Sequence, residues 1–221
     1  MLVPLLWVLA LQSPGDEGTL VLREDTSVVG QESFAVTGLT ANGVPNGWRV
    51  GTRARYGMGS RSVLLAPVVE IGPDTEPVSL QYEVSDPANP VRILGASARG
   101  RFTLRYLSPD RERTREISAG PGTVVLDDSA FALYLLAAWR ARASTATVSG
   151  LFARAMRKES LTVTDLGTGS TTVNRQPVAL RHITVTGGTA RLVHVWLDAA
   201  GRLMKVEVPS RRMVGERAAG P

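Results

Sequence analysis

The chain contains no cysteine, which excludes a disulfide scaffold, a zinc–thiolate site and thiol catalysis together. Lysine is nearly missing as well. Lys158 and Lys205 are the only two, so arginine supplies almost all of the 25 basic side chains behind a net charge of +5. A basic balance of this kind attracts anionic surfaces, but acids are interspersed with the arginines, and a solvated, Arg-biased surface is the plainer reading. Aromatic residues make up only 5% of the chain. No basic face interleaved with stacking aromatics can be identified, so no nucleic-acid partner is expected. Beyond the first residues no apolar run is long enough to cross a bilayer as a helix, and no transmembrane span is expected in the mature chain.

What is present begins with "MLVPLLWVLALQSPGDEG". Leu2 to Leu11 is an apolar run of the length found in secretory signals. No Lys or Arg precedes it, and Gln12 is a poor residue at a cleavage site. The reading is a signal segment over residues 1–13 and a single β-rich domain over 14–221, with a polar C-terminal tail that frays. The protein is then exported, periplasmic or envelope-associated. With 43% hydrophobic residues, the chain has enough apolar surface for a packed core.

From Gly18 the sequence breaks into short alternating segments separated by Gly, Pro, Asn and Asp, which reads as about a dozen strands in an antiparallel meander. "EPVSLQYEVS" places Val78, Leu80, Tyr82 and Val84 on one face. "RFTLRYLS" puts Phe102, Leu104 and Tyr106 on one face and Arg101, Thr103 and Arg105 on the other. With Arg99, Arg111, Arg113 and Arg115 nearby, that basic face can meet phosphate groups, but Glu112 and Glu116 favour cross-strand ion pairs. "DAAG" suits a type I turn closed by a glycine bulge, with Asp198 opening it and Gly201 at positive φ. That register sets Trp196 opposite Met204 and His194 opposite Val206. A three-residue loop over Gly187 to Thr189 would place His182 directly opposite His194, and a two-residue loop would not. Two histidines without a third ligand do not make a metal site, and neither a metal nor a cofactor is expected.

One segment breaks the strand pattern. From Ala130 to Trp139, ten consecutive residues carry no formal charge. A surface helix shows a charged face opposite its apolar stripe; this one has none and must be enclosed. Asp127 or Asp128 can cap its start, and Arg140 and Arg142 complement its end. The expected fold is therefore mostly β: a strongly curved antiparallel sheet or incomplete barrel enclosing one apolar helix at about residues 128–143.

No catalytic constellation is readable. "DLGTGSTT" (Asp165 to Thr172) lacks the lysine of a phosphate loop and the partner half of an aspartic protease, and reads as a hairpin loop. "GMGSRS" (Gly57 to Ser62) is not a nucleophile elbow, because Ser60 lacks the following glycine.

At "VHVWLDAAGRLMKVEVP", taken with an export-type start, many strands and one apolar helix, the chain resembles uncharacterised bacterial envelope half-barrel proteins. Their architecture is similar to that of lipoprotein carriers of the Lol type, a curved sheet closed over helices. The match is short, Trp196-x-Asp198 followed by Gly201 and Lys205, and the chain departs from the Lol carriers in having one helix. What the resemblance implies is a lipid-carrier role.

Two functions follow as expectations. The first is a non-enzymatic envelope protein that binds a lipid acyl chain or another apolar ligand between sheet and helix, lined by Phe131, Leu135, Trp139, Trp196 and Met204. The second is a structural or protein-interaction module of the envelope whose interior is fully packed. A hydrolase ranks third.

Overall fold

The computed structural model describes residues 15–141, 145–187 and 191–219. The signal reading on residues 1–13 and the placement of Arg142 lie outside them. Fifteen strands form one sheet, more than the dozen expected. In chain order they are β1 (Glu17–Glu24), β2 (Ser27–Ala41), β3 (Val44–Tyr56), β4 (Val63–Ile71), β5 (Pro77–Ser85), β6 (Val91–Ala98), β7 (Arg101–Ser108) and β8 (Arg111–Ser118). The second half supplies β9 (Thr123–Leu126), β10 (Thr145–Phe152), β11 (Arg157–Val173), β12 (Gln176–Gly187), β13 (Arg191–Leu197), β14 (Leu203–Val208) and β15 (Met213–Arg217).

The sheet order is β8-β7-β6-β5-β4-β3-β2-β1-β15-β14-β13-β12-β11-β10-β9. Two meanders thus run outward from a central pair, β1 against β15, and the chain crosses from one edge to the other between β8 and β9. The sheet is open. Every pairing is antiparallel except β9 with β10. A parallel pair needs a crossover, and the apolar segment supplies it: a 3-10 turn, Phe131–Leu133, leads into α1 (Tyr134–Ala138).

That segment organises the core. The 3-10 turn packs on β2, β3 and β14, while α1 packs on β9, β12 and β13. Strands far apart in the sheet order reach the same eight residues because the sheet curls around them. Phe131 to Ala138 are all buried, as expected of a helix without a polar face. Gly215 on β15 allows this approach, since a Cβ there would stand 2.9 Å from the Phe131 ring.

Several sequence expectations are corrected. The helix is far shorter than 128–143 and neither aspartate caps it; Ala130 precedes the 3-10 turn without a side-chain cap. Asp127 instead accepts from the Ser129 backbone N–H, so the chain bends there rather than coiling. "DLGTGSTT" is not a hairpin loop: it lies within β11, where Gly167 (φ +76°) sits in a bulge, and the turn falls at Asn174–Arg175. The tail does not fray before Arg217, because Met213–Arg217 is the central strand β15. Val78 leaves the Leu80–Tyr82 face; it is the extra residue of a bulge and is exposed.

The Asp198 turn forms as expected. Gly201 has φ +79°, and the Asp198 carboxylate accepts from the N–H groups of Ala200 and Arg202. The expected register holds at Leu197–Leu203 and is then displaced by a bulge at Met204, pairing Trp196 with Lys205 and His194 with Glu207. A bulge adds one residue to one strand and reverses which side chains face inward beyond it. Val193, Val195 and Leu197 face the core and His194 and Trp196 the outside, and the bulge brings Val206 and Val208 onto the inner face with Leu203.

Candidate functional site

The five residues expected to line a ligand cavity do not come together. Phe131 and Leu135 are buried in the main core, and Trp139 packs at its margin with its ring 6.2 Å from that of Trp48. Trp196 and Met204 belong to a separate cluster on the outer face with Val173, Leu180 and Val178. There the Trp196 ring stacks on His182 at 3.8 Å and its indole N–H donates to Glu207 at 2.8 Å. The histidines are diagonal neighbours, not directly opposite, since His182 pairs with Trp196 and His194 with Thr184. Their rings still meet, with His182 Nε2 and His194 Nδ1 at hydrogen-bond distance, 2.8 Å. Burial first, and then the neighbouring His194, hold His182 below the usual imidazole range. Among the described residues no group of three His, Asp or Glu side chains is placed to hold a metal ion.

The polar chemistry of the molecule gathers where Asp127–Ser129 enters the interior. Asp127 is buried and takes a bidentate pair from Arg154, Nε at 2.6 Å and Nη2 at 2.7 Å. The neighbouring Asp128 points elsewhere, pairing with Arg191, whose guanidinium also reaches the Tyr134 hydroxyl and Glu159. Two adjacent carboxylates thus serve two different arginines, as their opposed directions at a chain bend require. The Tyr56 hydroxyl donates to the Ser129 carbonyl at 2.6 Å, and the nearby Tyr82 hydroxyl is buried without a partner among the described residues. Burial pushes both phenols well above their ordinary range.

Behind this segment lies Glu32, wholly enclosed. Its carboxylate accepts from the Phe131 N–H at 2.8 Å, the Ala132 N–H at 3.0 Å and the Thr52 hydroxyl at 2.5 Å. It caps the internal segment from across the core, a role no local residue fills. Desolvation by burial pushes its carboxyl up to about 7, against those three hydrogen bonds.

Two clefts flank the bend at its surface. One, of about 600 Å³, is lined by Asp128, Arg157, Glu159, Arg191 and Arg211, where the two acids pair with Arg157 and Arg191 and Arg211 donates to the Asp128 carbonyl. The other, of about 590 Å³, lies between β7–β8 and the turn joining β10 to β11, and no acid lines it.

No protein-family model matches the chain, and no curated protein matches it. Solved structures do. A protein described as β-barrel-like, of the domain of unknown function DUF1849 from Brucella abortus, superposes with a TM-score of 0.58 over 92% of this chain and 95% of its own, at 13% identity. The two share a β-barrel-like fold. A DUF1089-family protein from Pseudomonas aeruginosa aligns over 96% and 97% of the two chains at 13% identity and a TM-score of 0.46. The first of these structures carries the β-barrel-like architecture, and neither speaks of a lipoprotein carrier.

In this β-barrel-like chain, reading the sequence missed Glu32 and Arg154. Glu32 had left a signal: it shares the parity of Phe34 and Val36 on β2, so it stands on the apolar face of its strand. Arg154 left none, because its partner is supplied by a distant bend.

Proposed function

We propose that this chain is a non-enzymatic binding module of the cell envelope that fills its interior with its own chain and meets its ligands at the charged end of the half-barrel. The observation that carries this reading is the packing of the crossover segment. No side chain from Phe131 to Ala138 is more than 3% exposed, and none lines either of the clefts that flank the bend. An acyl chain between sheet and helix needs a space that these side chains occupy, so the packed interior favours the module over the interior lipid carrier. The polar residues of the bend also speak against catalysis. Asp127 is committed to Arg154 and Ser129, and Glu32 is enclosed, so neither is open to a substrate. The envelope location stands on the N-terminal apolar run.

Native mass spectrometry of gently purified full-length protein tests the reading. The polypeptide mass alone is expected from the interior. A stoichiometric lipid that stays bound when the surface arginines named below are replaced would overturn it.

A further inference from the structure

The open sheet leaves a seam between its β8 edge and the strands at its β9 edge, and the side chains at that seam differ from those elsewhere on the surface. The β7–β8 register sets Ile117, Arg115 and Arg113 opposite Phe102, Leu104 and Tyr106. Phe102 and Leu104 are fully buried, so this is the inward face of the sheet. Arg113 and Arg115 therefore occupy positions that carry core side chains one strand away. Across the seam stands the β10–β11 turn, whose Met156 N–H donates to Ala153 O and which presents Arg154. Tyr106, Arg111, Arg113, Arg115, Arg154 and Met156 line the resulting cleft of about 590 Å³.

The two faces of β8 are built differently. On the outer face Glu112 and Glu116 neutralise Arg105 and Arg101 at 2.7 and 3.1 Å. On the inner face, among the described residues, Arg113 and Arg115 have no ion-pair partner. Arg154 is held by the buried Asp127 through Nε and Nη2, which locks its guanidinium at the cleft wall. Inward-pointing charge is a known guard on edge strands. A guard, however, requires neither a single sign nor a third arginine fixed from another element. Arg113 and Arg115, which pair with no acid among the described residues, and the Arg154 nitrogen that Asp127 leaves free line one cleft, a set of guanidinium donors suited to phosphate oxygens.

We propose that this seam binds a phosphate group, with the half-buried Tyr106 and Met156 offering contact to whatever apolar portion adjoins it. The phosphate is either a free anion or the head of an anionic phospholipid. The proposal deepens the reading of a binding module with a closed interior. The two fail separately: an interior lipid insensitive to the seam overturns that reading, and failure of the unmodified chain to bind either phosphate probe overturns this one.

The test uses the full chain and two charge-matched double variants, R113Q/R115Q at the seam and R101Q/R105Q on the outer face of β7. Inorganic phosphate is titrated by calorimetry, and sedimentation is measured with vesicles of phosphatidylcholine alone or mixed equally with phosphatidylglycerol. The expected result is binding to at least one phosphate probe, weakened about tenfold or more in R113Q/R115Q and little changed in R101Q/R105Q. Response to inorganic phosphate alone assigns a soluble anion; response to the anionic vesicles alone assigns a lipid head. Equal weakening in both variants, with unchanged circular dichroism, would reduce the effect to net charge and overturn the proposal. So would binding to an acidic peptide but to neither phosphate probe.

Discussion

Glu32 stands on β2 where Phe34 and Val36 set the pattern, and it holds the internal segment by receiving two backbone N–H groups that nothing else satisfies. Its carboxyl titrates at about 7 in the folded protein, against an ordinary 4.5. Below the ordinary value the group is protonated in both states. As pH rises toward 7 the unfolded chain releases the proton and the folded chain keeps it, so stability falls with rising pH across this window and levels off above it. The full span is about 3 kcal/mol for a shift of this size. Urea denaturation at pH 5 and pH 7.5 checks this: the wild type is expected to lose stability over that interval, and Glu32→Gln to lose much less. Parallel profiles for the two proteins would remove Glu32 as the cause. The side-chain oxygen of the glutamine still accepts from the segment, whereas Glu32→Ala leaves buried donors unmet and is expected to cost more at every pH.

At the scale of the element, the crossover shows how far local pattern reaches. An uncharged run of ten residues demanded enclosure, and enclosure is what it has. Its helical extent is a separate matter. Five α-helical residues contribute little by intrinsic propensity, so the segment holds its shape through contacts with six strands and through Glu32 and Arg140 at its two ends. Arg140 donates to the Thr75 carbonyl and pairs with Glu76, which also accepts the N–H groups of Gly122 and Thr123. Leu135→Ala, in the first turn of α1, is therefore expected to destabilise the protein by about 2–5 kcal/mol, as for a close-packed core leucine. A thermal or urea melt measures it. A cost well below this range would mean that Leu135 faces open space and would revive the interior ligand. The strands teach a related lesson. Bulges at Met204 and Val78 reverse or interrupt a face that simple alternation assigns correctly up to that point.

At the scale of the whole molecule, the central pairing joins the two ends of the described chain. β15 lies between β1 and β14, and Arg217 ties it further to Asp16 at 2.8 Å and to the Leu203 carbonyl at 2.7 Å. Without β15 the sheet separates into one block from β8 to β1 and another from β14 to β9, each with a new unpaired edge. Such edges recruit other chains. A chain truncated after Arg212 is accordingly expected to lose its cooperative melt and to elute as aggregate in size-exclusion chromatography. A monomer melting near the full-length protein would show that the two meanders do not depend on this strand.

The sequence by itself determined what depends on neighbours along the chain. The period-two alternation of "RFTLRYLS" placed Phe102 and Leu104 inward, the Asp198–Gly201 turn followed from side-chain chemistry, and the uncharged run had to be covered. Only the tertiary structure decided what depends on partners distant in sequence. A five-residue tail segment became the central strand because β1 and β14 flank it. Asp127 and Asp128 took separate arginines because the chain bends between two clefts. Trp196 faces outward because Val193, Val195 and Leu197 fill the inner face of β13, and one bulge at Met204 changed the parity of β14 and turned Val206 and Val208 inward. Periodicity is a property of a segment, whereas register, capping across a core and the closing of a sheet are properties of surfaces that meet only after the chain has folded.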